Sequence, residues 1–342
     1  MFDGLAIDRR TLIVSLAAVL AGRPAFAEDL IIRPSIEGVD PRYAAYASVG
    51  SFVPAVPNSI ETPLSRILVF YPAGVPEARL VVFSHGALAS PSAYRRLLDH
   101  WASHGFIVVA PIHDDAVLER GLTHRHSSAA GIAEWKVPTL LQDERAWRSR
   151  SDSCSSCIDA IPIIERVTGL KVVADRPIVA GHGYGAYVAQ ILLGAVVKGH
   201  DGEKLKFRDP RFFGAILMSP QGTGVMGLDD QSWVNVSAPI LSIVATKEND
   251  FTGQDAERKA DAFRLSAPGY KHLARLNGAA SSAHLGPSAA LRGDEARFAE
   301  VLRALTTAFL KAYANYDRDA FKDMSSGFFE RMSLGTVSEL RR

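Results

Sequence analysis

Two periodicities alternate along the chain from Ser65 onward. Short, continuous apolar runs at 67–71, 80–83, 106–110, 178–180, 214–218, 240–245 and 272–276 read as strands. The stretches 91–103, 141–167, 184–197, 256–265 and 295–313 carry apolar residues at helical spacing. Strands that are apolar on both faces suit a parallel sheet covered on both sides. The alternation predicts an α/β protein with a doubly wound, mostly parallel sheet, helices on both faces, and a site beyond the carboxyl ends of the strands. In the last helix Phe298, Val301, Leu302, Leu305, Phe309 and Tyr313 fall on one side.

Segments without such a pattern delimit the domain. The stretch 111–140 is long for a connection and reads either as a cap over a pocket, with Trp135 as a lining residue, or as a solvated excursion. The insert "KGHDGEKLKFRDPRF" is charged and expected at the surface. Periodicity fades after Asp317, so 318–342 reads as a C-terminal tail and 28–317 as the domain. At the other end, Asp8-Arg9-Arg10 precedes an apolar run, 11–21, too short to span a bilayer, followed by Ala25-Phe26-Ala27. Residues 1–27 are therefore expected to be an export signal resembling the twin-arginine type, with a periplasmic or secreted mature chain from Glu28.

Composition narrows the partners. The chain is 47% hydrophobic and 22% charged with a net charge of +1, which gives no argument for nucleic acid or an anionic membrane. No stretch after residue 27 is apolar enough to span a bilayer. The two cysteines, Cys154 and Cys157, lie in a helical segment where Trp147, Cys154, Ile158, Ile161 and Val167 share a spacing. Cys154 is expected in the core, a local disulfide is an alternative, and metal or redox roles lack supporting ligands. The histidines likewise show no pair with metal-ligand spacing on one element.

The chemistry centres on "IVAGHGYGAYVAQ", where a strand enters a glycine turn and then a helix. The turn satisfies G-x-G-x-x-A at 181–186, a dinucleotide-binding pattern. It also has the form of the nucleophile elbow G-x-S-x-G with Gly183 in place of serine. The dinucleotide reading lacks its context, since the turn follows several strands and no second strand ends in an acid about 20 residues on.

The segment "LVVFSHGALASPSAYRRLLDHWASHGFIVVAPIH" resembles the oxyanion region of α/β-hydrolases, closest to the group of dienelactone-hydrolase-like proteins, platelet-activating factor acetylhydrolases and chlorophyllases. "DPRFFGAILMSPQG" looks like the same group. The resemblance implies an α/β-hydrolase fold from about Val49 to Tyr313. It implies an oxyanion hole from the N–H groups of Ala87 and Tyr184, and a triad in the order nucleophile position Gly183, acid, histidine. The acid is Asp250, in an "END" similar to that of cutinase-like polyester hydrolases, or Glu248, which fits the strand register. The histidine is His284, although many relatives carry it where this chain has Ser281. His85, His113 and His182 are expected to hold backbone, with His85 and His182 also near the pocket. Such a site needs no cofactor and would take a small or polymeric ester. Three readings follow from Gly183: an esterase lineage whose serine is lost, a non-catalytic protein that binds an ester-like or acyl ligand, or unusual chemistry through water, Ser219 or Tyr184.

Overall fold

The computed structural model describes residues 40–116, 137–248, 250–280 and 293–342. Its strands are β1 (Asn58–Glu61), β2 (Arg66–Phe70), β3 (Glu77–Ser84), β4 (Phe106–Pro111), β5 (Lys171–His182), β6 (Val197–Lys198), β7 (Lys204–Leu205), β8 (Gly214–Met218), β9 (Ile240–Lys247), β10 (Lys271–Ala280) and β11 (Val337–Arg341). Nine of them form one sheet in the order β1-β2-β4-β3-β5-β8-β9-β10-β11. The six from β4 to β10 run parallel, with β1 and β2 antiparallel at one edge and β11 antiparallel at the other. This is the doubly wound, mostly parallel sheet the pattern predicts.

Successive residues of a strand face opposite sides, so each central strand feeds two cores. Val81, Phe83, Val108, Ala110 and Ile178 pack with α1 (Pro41–Ala47), α2 (Arg95–Ser103) and a long helix at 294–313. Leu80, Val82, Ile107, Val109 and Val179 pack against the opposite helical layer, which includes Trp147, Cys154, Tyr187 and Ile191. Each Val, Leu, Ile or Phe side chain so removed from water contributes ~1.5–3 kcal/mol. Phe298, Val301, Leu302, Leu305, Phe309 and Tyr313 are all buried, as their spacing requires.

Several helical runs are shorter than their patterns. The run at 141–167 is divided among α3 (Val137–Gln142), α4 (Glu144–Asp159) and α5 (Ile161–Thr168). Asp143 caps α4 by accepting from the N–H of Arg145, and Pro162, which cannot continue a helix, opens α5. Ile158 and Ile161 are only half-buried and Val167 is exposed, so the shared spacing does not continue across the break. α6 (Tyr184–Leu193) stops at Gly194, which turns left-handed at φ 119°. The run at 256–265 breaks at Ala260 into α7 (Ala256–Lys259) and α8 (Asp261–Leu265), and the last long helix is α9 (Asp294–Tyr313). Cys154 and Cys157 are buried and unpaired; burial pushes the Cys154 thiol up to about 12.

Residues 318–342 are not a tail. They form α10 (Arg318–Met324), α11 (Phe328–Met332) and β11, which pairs with β10 from Leu276↔Val337 to His272↔Arg341. Met324, Phe328, Phe329 and Val337 are buried, and Asp323 accepts from the Tyr46 hydroxyl at 3.0 Å and from Arg42 at 2.8 Å. The periodicity here is weak because β11 buries only its first residue fully and both helices are short. Most of the charged insert is exposed and carries the β6–β7 hairpin, although Phe207, Asp209 and Phe212 are buried. Among the described residues, no helix is long and apolar enough to cross a membrane.

One pairing places the site. Ser84 lies opposite Gly181 where β3 and β5 run side by side, so the turns that follow each strand emerge together at the carboxyl edge.

Candidate active site

Strand β5 ends at His182 and α6 starts at Tyr184, so Gly183 alone makes the turn. It adopts φ 54° and ψ −117°, a conformation rare for residues with a side chain, and its N–H donates to the Met218 carbonyl at 2.9 Å. The three glycines of "GHGYG" are not equivalent. A Cβ at Gly181 would lie 2.2 Å from the Gly185 carbonyl oxygen, and one at Gly185 would lie 1.9 Å from that of Ser84. A Cβ at Gly183 would meet nothing within 4 Å. Glycine is thus sterically required at 181 and 185, where the helix start approaches β3 and β5. This close packing accounts for Gly181 and Gly185; Gly183, the second glycine of the dinucleotide pattern, is not required by it.

The neighbouring turn is held by buried side chains. His85 accepts the His113 N–H at its Nε2 (3.1 Å), which leaves the ring proton on Nδ1 to donate to the Gly86 carbonyl at 2.8 Å. Burial first, and then the Arg150 charge, push its pKa down to about 3, so the ring is neutral. Nε2 of His113 lies 2.8 Å from the Ser84 hydroxyl, and burial lowers its pKa as well. Both rings are enclosed, but only that of His85 holds backbone; the His113 ring meets the Ser84 side chain instead. Ala87 follows, half-buried, its N–H without an acceptor among the described residues. The N–H of Tyr184, at the first position of α6, has no acceptor within its helix. The structure thus brings Ala87, Gly183 and Tyr184 to one edge of the sheet. Nδ1 of His182 lies 2.8 Å from the hydroxyl of Tyr94.

Two further residues, which sequence reasoning does not single out, meet here. The Arg150 guanidinium donates to the His85 carbonyl at 2.7 Å and the Gly86 carbonyl at 3.3 Å. It also grips both oxygens of Asp115, at 2.7 Å each, and lies 4.2 Å from the centre of the Tyr184 ring. Asp115 in turn accepts the Leu88 N–H at 2.9 Å. Burial alone would raise the Asp115 carboxyl, but the charge and hydrogen bonds of Arg150 outweigh it and hold the group below its usual range. Of the arginines in "ERAWRSR", only Arg150 falls three residues after Trp147 and four before Cys154, on the buried stripe of α4, and that spacing is the signal that could have marked it.

The two candidate acids occupy different settings. Glu248, just past β9, accepts from the Ser219 hydroxyl at 2.8 Å and from the Ala245 N–H at 2.9 Å. Ser219 itself is buried and held at φ 50°. Asp250 pairs with Nζ of Lys259, whose side chain is fully buried, and accepts from the N–H and hydroxyl of Thr252. Burial pulls the Asp250 carboxyl up, but Lys259 and Thr252 together hold it below the ordinary range. His284, Ser281 and Trp135 lie outside the described residues, as do 1–27 and most of the 111–140 segment. No group of three or more His, Cys, Asp or Glu among the described residues is arranged to hold a metal ion.

The chlorophyllase family model matches residues 46–146, a segment that contains the His85-Gly86-Ala87 turn and ends before Gly183. With that match the sheet order has its name. The chain has the α/β-hydrolase fold. It is 37% identical over 81 residues to chlorophyllase-1, chloroplastic, of Citrus sinensis, which is 24% of this chain and 25% of that protein. It is 36% identical over 81 residues to chlorophyllase-1, chloroplastic, of Citrus unshiu, with the same shares of each. The matched stretch is about a quarter of the length of these curated relatives.

Proposed function

We propose that this α/β-hydrolase-fold protein belongs to the carboxylic-ester hydrolase lineage and lacks the nucleophile of that lineage at Gly183. The reading rests on one observation. Among three glycines in a strained strand-to-helix turn, only the central one has room for a side chain, and that is where a serine hydroxyl would stand. In the parent reaction a serine attacks the ester carbonyl while a histidine takes its proton. An acid orients that histidine, and backbone N–H groups hold the oxyanion. Asp250 or Glu248, His284, Ala87 and Tyr184 fill these roles in the proposal. No cofactor enters this chemistry, and the ligand is a small or polymeric ester. The twin-arginine-like start adds export to the proposal.

Without a hydroxyl at 183 no acyl-enzyme forms. Loss of a triad serine leaves on the order of 10³–10⁴-fold acceleration over water, from the oxyanion hole and binding. The chain as it stands is therefore inert or strongly impaired. A second reading, a non-catalytic binder of an ester-like or acyl ligand, is favoured by the intact strained turn around the missing hydroxyl.

The test compares the chain with its Gly183→Ser form on short aryl esters and with a fluorophosphonate probe. Labelling and turnover are expected only in the serine form, with loss of both on His284→Ala. A folded serine form that stays inert would favour the binding reading. Ordinary enzymatic rates in the unaltered chain would refute the proposal.

A further inference from the structure

We propose that the buried Arg150–Asp115 pair is the positioning device of the oxyanion site, one guanidinium setting the orientation of the Ala87 N–H and packing against the ring of Tyr184, the residue that carries the other donor. The inference deepens the ester-hydrolase reading and rests on it for the role of those donors.

The argument starts from the peptide plane. The Gly86 carbonyl and the Ala87 N–H belong to one planar trans unit, so they point in opposite directions and turn together. Arg150 holds the Gly86 oxygen at 3.3 Å and the preceding His85 oxygen at 2.7 Å. The His85 ring and the Ala89 N–H also donate to the Gly86 oxygen, at 2.8 and 3.2 Å. With that carbonyl fixed, the Ala87 N–H must face the other way.

The next peptide unit is held from its opposite end. The Leu88 N–H donates to Asp115, whose other oxygen is gripped by Arg150. Leu88 stands at φ 60°, a conformation that costs a non-glycine residue energy and persists only where its surroundings dictate it. Both peptide units that flank the Ala87 Cα are thus tied to a single ion pair.

The second donor is reached through a ring. The same guanidinium lies over the Tyr184 side chain, and Tyr184 is the first residue of α6. Arg150 and Asp115 are both nearly enclosed, at 3% and 9% side-chain exposure. Desolvation offsets much of the attraction of such a pair, so it adds little stability by itself. What it adds is direction. A planar fork can serve two carbonyls, a carboxylate and a ring face at once, which a lysine ammonium cannot.

The experiment uses Arg150→Met, Arg150→Lys and Asp115→Asn in two backgrounds. In the unaltered chain, hydrogen–deuterium exchange of the amides at 86–89 should accelerate at least ~10-fold in each variant, while the strands keep their protection. In the Gly183→Ser form, kcat on an aryl ester should fall ~10–100-fold with KM nearly unchanged, because weakened oxyanion donors act in the transition state. Arg150→Lys should fail to restore kcat. Asp115→Asn, nearly identical in shape, keeps the test decisive if Arg150→Met does not fold. Unchanged exchange at 86–89 in a folded variant, or a loss confined to KM, would overturn the proposal. If the Gly183→Ser parent shows no turnover, the hydrolase reading fails, and exchange alone then decides whether the pair positions the turn.

Discussion

The hydroxyl of Tyr94 lies 2.8 Å from Nδ1 of His182 and accepts the N–H of Gly86 at 3.1 Å. One phenol therefore bridges the turn after β3 and the residue that precedes Gly183. It is fully enclosed, and burial raises its pKa, so it remains a neutral donor and acceptor. The two turns are coupled by a side chain from the short 3₁₀ turn that leads into α2.

Tyr94→Phe removes the partner of a buried N–H and of a buried ring nitrogen while keeping the ring's packing. A buried polar group left unsatisfied costs ~1–3 kcal/mol. The variant should lose about that much in urea unfolding, with an unchanged slope. A loss below ~0.5 kcal/mol would mean that the bridge is not needed for stability.

The glycine turn makes a graded prediction. Gly183→Ser should fold, because its Cβ enters open space, at a strain cost of ~1–3 kcal/mol for the positive φ. Gly181→Ser and Gly185→Ser should not yield native protein, since each Cβ would overlap backbone atoms. Circular dichroism and thermal melts of the three variants check the order. Equal melting losses at all three positions would contradict the elbow geometry.

Acid should destabilise the protein from about pH 6.5 downward. Burial, joined by smaller effects of nearby cations, lowers His104 and His272 to about 4 and His85 to about 3. It lowers His100 and His113 as well. These rings are neutral in both states above pH 6.5. Below it the unfolded chain binds protons that the folded chain refuses, and each ring removes ~1.4 kcal/mol per pH unit until its folded pKa is reached. Asp115 and Asp250, held below their ordinary range, add a loss in the same direction at lower pH. Burial raises Asp99 and Asp323, which take up protons more readily in the folded chain and so oppose the trend in acid. Urea midpoints at pH 7.5, 6, 5 and 4 should fall throughout; a flat profile from 6.5 to 4 would refute it.

Asp250 and Lys259 should behave as a coupled pair. Asp250→Asn leaves the fully buried Lys259 ammonium without its charge partner, at a cost of ~3–5 kcal/mol. Adding Lys259→Met should recover most of that stability. In the Gly183→Ser background, Asp250 as triad acid requires that the recovered double variant stay inactive and that Glu248→Gln keep turnover. The opposite pattern assigns the role to Glu248.

Much of the fold was legible because burial on both faces of a parallel sheet forces continuous apolar runs. The runs at 67–71, 106–110 and 214–218 match β2, β4 and β8 within a residue at either end. The turn at Gly183 was legible too, because a strand, a tight glycine turn and a helix are local facts of sequence. Local pattern failed at 141–167, where Pro162 divides an apparently continuous helix, and at 318–342, where edge pairing makes a strand of a weakly patterned segment.

The sequence by itself determined that the chain is α/β, that the turn at 181–186 is a sharp one, and that no serine stands at its centre. Only the tertiary structure decided which of the three glycines is sterically free, because that depends on the carbonyls of Ser84 and Gly185, brought close by packing. Only it set Arg150, which helical spacing puts on the buried stripe of α4, against Asp115, His85, Gly86 and Tyr184. Directional contacts between residues far apart in the chain leave no period in a sequence, whereas burial leaves one at every turn of a helix and every second residue of a half-buried strand.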